Sequence, residues 1–323
     1  MNKTIKITEL KVGMYINLPT SWRAHPFLRN SFTITSNKQI QKLADYGIKE
    51  VNIDEIKGLP SNASIKEVEE PEKDFSQDYK VVAEKLHEVL TDKKIEPAKR
   101  AEAIHLRTAD MMKNLWENPS PEKIGQFKKS VVGIVDLVLS EDATNSYLLN
   151  ITSYDYDTYI HSVNVGVLAI SLAKVILKKE NKHDMNALGA GFFLHDLGKI
   201  RIDEAIINKP GKLTEEEMAI MRRHPGMGFN LLLETKQISE ESKLIVLQHH
   251  ERYNGLGYPK KLRGEEIHIY ARICSVADVF DALVSKRPYK SQLNHFEALR
   301  LMKNEMIEHF HKDVFEKFVM LFK

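Results

Sequence analysis

The spacing of apolar positions changes near residue 80. Before that point, KITEL (6–10), GMYINL (13–18), SFTIT (31–35) and KEVNID (49–54) alternate apolar and polar residues and are rich in β-branched side chains. That pattern predicts short strands. TSNKQIQKLADYGI (35–48) has helical spacing, with Thr35 or Ser36 as its cap and Gly47 as its stop. Residues 1–58 therefore predict a small α+β domain. Residues 59–78 are polar, mostly acidic and carry Pro60 and Pro71. Such a segment buries too little apolar surface to fold by itself and reads as a linker. From Tyr79 onward, VVAEKLHEVL, AIHLRTADMMKNLW, IGQFKKSVVGIVDLVL, HSVNVGVLAISLAKVIL and EALRLMKNEM place apolar residues three and four apart. The run at Thr214, with Glu217 three residues on, is a capping box. Residues 79–323 thus predict an all-helical domain, and the fold class is mainly α.

Composition narrows the function classes. The chain has 323 residues, 42% hydrophobic and 28% charged, with 47 basic against 45 acidic residues and a net charge of +2. Nothing in that balance calls for a nucleic-acid polymer or a membrane as partner. The lone Cys274 excludes an internal disulfide framework and fits a reducing compartment. MNKTIKITEL lacks the apolar core of a signal peptide, and no apolar run approaches a membrane span. The expected location is the cytoplasm.

The chemistry concentrates in histidines beside carboxylates. GAGFFLHDLGKI (189–200) reads as an apolar helix ended by His195 and Asp196. Polar groups buried there need partners, either each other or a metal ion. His161 lies near the start of an apolar helix, one turn after Asp157; His224 precedes Pro225, which marks a helix boundary. His249 and His250 finish another helix, and Asp278 sits inside the apolar ARICSVADVFDAL. Singly, each suits a hydrogen-bonded core. Together, five imidazoles and two or three carboxylates at helix ends and inner faces are the donor set of a metal site in a bundle core. Asp196 is the natural bridge between two ions, since its carboxylate has two oxygens. Imidazole suits iron, zinc, copper or nickel, carboxylate admits manganese and magnesium, and the lack of cysteine ligands argues against structural zinc.

HDLGK (195–199), His224, HHERYNGLGYP (249–259) and ADVFDALVSKRPYK (277–290) resemble the HD-GYP family, over about residues 145–323. These are helical, metal-dependent phosphodiesterases of the HD superfamily that hydrolyse cyclic di-GMP. The segment 1–58, with HPFLRNSFTI and YGIKEVNID, is similar to a small domain often found ahead of them. The resemblance implies an HD-type domain in which His161, His195, Asp196, His224, His249, His250 and Asp278 are metal ligands. It implies a catalytic Lys199 facing phosphate, Tyr258 in the loop at the substrate cleft, and Arg287 and Lys290 on the substrate's phosphates. Asn254 stands where the family often has aspartate, a swap compatible with a turn. Asp157 stands where a family glutamate accompanies a third metal. It is four residues before His161, on the same helix face, and is either a ligand or the N-cap. The implied cofactors are two or three divalent ions, iron first and manganese second. The implied products are linear pGpG and, with a third ion, GMP. The N-terminal domain would be regulatory, through a homodimer or a signalling protein partner. The rival readings are hydrolysis of another nucleotide, or an inactive receptor for cyclic di-GMP.

Overall fold

A computed structural model describes residues 2–18, 31–34, 37–45, 47–60, 75–117, 119–151, 158–177, 182–209, 211–236, 239–285 and 292–322. The chain forms two compact units: Met1–Phe75 with Asp203–Ala205, and Ser76–Ile202 with Ile206–Lys323.

In the first unit, β1 (Asn2–Lys6), β2 (Tyr15–Asn17), β3 (Ser31–Thr33), α1 (Asn37–Asp45) and β4 (Glu50–Asp54) follow in order. The strands form one antiparallel sheet ordered β1-β4-β2-β3, with Ile5 opposite Val51 and Ile16 opposite Ile53. Those four side chains alternate with exposed or half-exposed neighbours and share a core with Leu43 of α1. The first strand lies four residues earlier than the pattern of KITEL predicts. Residues Ile7–Glu9 form a 3-10 turn instead, because the Glu9 carboxylate accepts the Lys6 amide at 3.1 Å and folds the chain back. Gly47, at φ +81°, ends α1 where expected. The proposed caps Thr35 and Ser36 lie outside the described residues.

The second unit is helical. Its first half contains α2 (Phe75–Thr91), α3 (Pro97–Glu117), α4 (Pro121–Ser140), α5 (Asp142–Asn150), α6 (Thr158–Leu177) and α7 (Met185–Phe193). Then come α8 (Glu204–Ile207), whose first two residues fall in the first unit, α9 (Glu215–Met221), α10 (His224–Thr235), α11 (Glu240–Gln248), α12 (Ile269–Val284), α13 (His295–Glu305) and α14 (Lys312–Val319). The capping box at the start of α9 is formed, with Thr214 and Glu217 bonding each other's backbone amides. α6 packs against α3, α7 and α12, and α11 packs against α7, α10 and α12. Contrary to the sequence reading, α6 does have the length and apolarity of a membrane span. Most of it is buried within the unit, so its uniform apolarity reflects a core helix contacted on all sides.

One glycine brings the site together. A Cβ on Gly198 would collide with the carbonyl oxygen of His224 and the amide of Gly228. The sequence suggests that Gly198 leaves room for substrate; in the fold the room is filled by α10, whose first residue, His224, is thereby drawn up to Asp196.

Candidate metal centre

Seven of the eight candidate ligands are described, and the fold gathers them into two adjoining groups. His161 comes from the first turn of α6 and Asp278 from the interior of α12. α7 stops at Phe193, so His195 and Asp196 sit in the turn just beyond it, not within its last turn. That turn continues into a 3-10 stretch, Leu197–Arg201, which carries Lys199. His224 opens α10 with Pro225 in its first turn, where a missing N–H costs nothing. His249 caps α11 and His250 follows it.

One group is His161, His195 and Asp278; the other is Asp196, His224, His249 and His250, with donor atoms inside each group within 4.8 Å of one another. Asp196 spans the two. Its Oδ1 lies 3.1 Å from His224 Nε2 and 3.6 Å from His249 Nε2. Its Oδ2 lies 3.5 Å from His195 Nε2 and 3.7 Å from His161 Nε2.

The protons of these rings can be placed. His195, His224 and His249 each set Nδ1 at 2.8–2.9 Å from the carbonyl oxygen three residues earlier, on Phe192, Met221 and Val246. A carbonyl only accepts, so Nδ1 carries the proton and Nε2 presents a lone pair. The Nε2 atoms of His224 and His249 are 3.2 Å apart, and both also face Asp196 Oδ1. Lone pairs held this close repel one another unless a cation lies among them. His195 Nε2 and Asp196 Oδ1 are buried without a hydrogen-bond partner among the described residues. These orphaned acceptors fit divalent cations, and their cost without one is that of any unpaired buried polar atom.

The electrostatics agree. Burial pushes His195 down to about 3 and also lowers His224 and His250, so these imidazoles stay neutral and able to coordinate. Burial alone would raise Asp196, but the Lys199 ammonium, 2.5 Å from Oδ2, helps hold its carboxyl well below the usual range. Burial likewise opposes ionisation of Asp278, and its contacts with the neighbouring histidines, His161 first, outweigh it.

Comparison with known proteins decides the family. The HD domain family matches residues 157–314, and a domain of unknown function (DUF3391) matches residues 2–120. A cyclic di-GMP phosphodiesterase of Pseudomonas aeruginosa is 35% identical over 99% of this chain and 76% of its own length. The chain belongs to the HD-GYP family. A 3'3'-cGAMP-specific phosphodiesterase of Vibrio cholerae is 40% identical, over 42% of this chain and 26% of its own length. A solved HDG"Y"P protein from Bdellovibrio bacteriovorus shares the fold at a TM-score of 0.65 and 19% identity, covering 100% of this chain and 99% of that one. Membership of the HD domain family implies divalent-metal binding, and the donor cluster offers ligands that could hold such ions.

The loop that gives the HD-GYP family part of its name is braced from behind. Glu251 is buried, and its carboxylate accepts the amides of Lys260 at 2.7 Å and Leu262 at 3.0 Å. Asn254 accepts the Leu256 amide at 3.1 Å, the turn its residue type suggests. Gly255 has φ +80°. Gly257 does not share that backbone. It is glycine because a Cβ would strike the backbone of Glu251 and Arg252, so the loop closes tightly on itself. Tyr258 stacks on His250, with centroids 4.7 Å apart and planes 28° apart. Its ring thus lies against the ion-facing cluster, and burial raises its phenol. Asp157, Arg287 and Lys290 lie outside the described residues.

The sequence reading missed Asp281. This buried carboxylate is 2.7 Å from His161 Nδ1, behind the ring, while Asp278 Oδ1 is 3.0 Å from Nε2 in front. Donation of Nδ1–H to Asp281 leaves Nε2 for an ion, the usual support for a metal-binding histidine. The signal was present in ADVFDAL, where Asp278 and Asp281 are three apart and share a helix face. Cys274 is also buried on α12, and burial first, then nearby Asp278 and Asp196, keep its thiol protonated.

These shifts set the acid stability of chelator-treated protein. The unfolded chain takes up a proton at His195 near pH 6.5, whereas the fold resists until about 3. Between those values the unfolded state binds more protons, so stability falls as the pH falls. The depressed Asp196 and Asp278 act in the same direction below the ordinary carboxylate value of 3.8. Melting temperature by circular dichroism should drop steadily from pH 6.5 into the acid range; a flat or rising profile contradicts the assigned protonation.

Proposed function

We infer that this chain is a metal-dependent phosphodiesterase that hydrolyses cyclic di-GMP, first to linear pGpG. The observation that carries the reading is Asp196, one buried carboxylate whose two oxygens face two donor groups. The assigned ligands are His161, His195 and Asp278 on one side and His224, His249 and His250 on the other, with Asp196 shared. Divalent ions bound there would neutralise phosphodiester charge and lower the pKa of water toward neutrality. Iron is the assigned metal and manganese the alternative by the resemblance to the family, and the imidazole and carboxylate donors are compatible with both.

The chain's own residues do the rest. Lys199 shares its 3-10 turn with the approach to Asp196 and is mostly buried beside it. Its ammonium is positioned to turn from Asp196 to a non-bridging phosphate oxygen and offset the charge that grows there in the transition state. Tyr258, stacked on His250, holds that imidazole in plane and offers an aromatic edge to substrate. Arg287 and Lys290 are assigned to the substrate phosphates by their place in RPYK, Arg287 by its forked donors. Asp157 is assigned as ligand to a third ion, which would carry pGpG on to GMP; its alternative role is the N-cap of α6. Residues 1–58 are assigned as a regulatory domain acting through a homodimer or a signalling protein in the cytoplasm; the linker read at 59–78 overlaps the first turn of α2, which begins at Phe75.

A second reading is favoured by one finding, the similarity to a relative named for 3'3'-cGAMP. Mass spectrometry of products from equal cyclic di-GMP and 3'3'-cGAMP, with iron(II) or manganese(II), separates the two. Faster loss of cyclic di-GMP with appearance of pGpG is expected. Preference for 3'3'-cGAMP would replace the substrate, and metal-replete protein cleaving neither would be a receptor.

A further inference from the structure

Behind the metal centre, a line of buried polar side chains leaves the HD domain. Asp281 Oδ2 receives His161 Nδ1 at 2.7 Å and the Ser285 hydroxyl at 3.1 Å. Its Oδ1 accepts the Asn164 side-chain amide at 2.8 Å. Asn164 Oδ1 in turn lies 2.7 Å from His105 Nε2. His161, Asn164, Asp281 and His105 are all buried.

The direction of every bond in this line is fixed from one end. An ionised carboxylate only accepts, so Asn164 must present its NH2 to Asp281. Its oxygen then faces His105, whose Nε2 must carry the proton. Asn164 is three residues after His161, on the same face of α6, so the amide and the imidazole reach the same carboxylate together. Without Asn164, Asp281 Oδ1 loses its amide, and the described partners that still hold the carboxylate, His161 and the Ser285 hydroxyl, both act on Oδ2, so its tilt against the His161 ring is less well fixed. Without a donor at residue 105, the Asn164 amide oxygen loses its 2.7 Å hydrogen bond, and the amide is less firmly placed against Asp281. A satisfied buried network of this kind sets one geometry; a broken one does not.

We propose that Asn164 and His105 are positioning residues for the metal centre, acting through Asp281 to hold the ion-facing nitrogen of His161. The inference rests on the metal-centre reading above. It places one determinant of metal retention on α3, at a residue inside the 2–120 segment matched by the domain of unknown function and outside the 157–314 HD match.

Cobalt(II) titration of the full-length, chelator-stripped protein against a competing chelator tests it, with the visible ligand-field bands recorded at each step. Wild type should bind at least two ions. Asn164→Leu should weaken the ion held by His161 about tenfold, the lower end for loss of a supporting hydrogen bond, and shift its bands. The ion held by His224, His249 and His250 should be unaffected. His105→Phe should weaken the same ion by a smaller factor, and His105→Gln, which keeps an N–H donor, should recover most of it. If Asn164→Leu does not fold, the Phe and Gln pair at residue 105 carries the test. In turnover assays at limiting metal, kcat should fall with KM unchanged. Wild-type affinity and bands in both Asn164→Leu and His105→Phe would overturn this inference alone. Wild-type protein that binds no cobalt would overturn the metal-centre reading as well.

Discussion

Asp196→Ala is expected to lose bound metal and turnover together while keeping its helical fold. The carboxylate faces both donor groups, so its removal takes a ligand from each ion at once. Activity should fall by at least about 10³-fold, the upper end for removing one preorganised electrostatic group from an active site. The fold should persist because the core of the second unit is built from α3, α6, α7, α11 and α12. The metal-free variant also escapes the crowding of lone pairs around Oδ1, though it leaves the Lys199 ammonium without its carboxylate. Elemental analysis beside circular dichroism checks this. Full metal content in the variant would show that Asp196 does not bridge.

Lys199→Ala is expected to separate chemistry from metal binding. Its ammonium contacts Asp196 but is no ligand, so metal content should stay at the wild-type level. The loss of a cation facing phosphate should cut kcat by about 10²–10³-fold with a smaller change in KM, since the charge it offsets is largest in the transition state. A second consequence follows from the ion pair. In metal-free protein Lys199 is the nearest compensating charge for the buried Asp196, so the chelated variant should melt below chelated wild type. Steady-state kinetics and thermal melts with and without chelator read both effects. Unchanged kcat would return Lys199 to a purely structural pairing with Asp196.

Much of this fold is legible in the sequence because apolar spacing carries it. The helices α3, α4, α6 and α13 fall where three- and four-residue periodicity puts them, and β2, β3 and β4 fall within alternating runs. The first strand does not, since alternation in KITEL competes with Glu9, whose carboxylate turns the chain. The apparent membrane-length run in α6 is ambiguous for a related reason: a helix buried on all sides and a helix in lipid have the same composition.

The cluster was legible as histidines and carboxylates at helix ends, and the structure brings seven of them into two groups. What lay behind them was not. Asn164 and His105 are separated by 59 positions, and neither stands in a motif. Only the packing of α3 on α6 makes them neighbours. The glycines misled in an instructive way. Gly198 looks like an opening for substrate, yet it is required by another stretch of backbone passing close by, as is Gly257 in its loop. Such approaches are properties of tertiary packing, which no local pattern encodes.

The central claim is a pair of ions bridged by Asp196. An anomalous-difference map from crystals grown with iron(II) and recorded on both sides of the iron edge tests it most directly. The account predicts one peak among His161, His195 and Asp278, another among His224, His249 and His250, and Asp196 in contact with both. A single peak, or two peaks with Asp196 bound to neither, would contradict it.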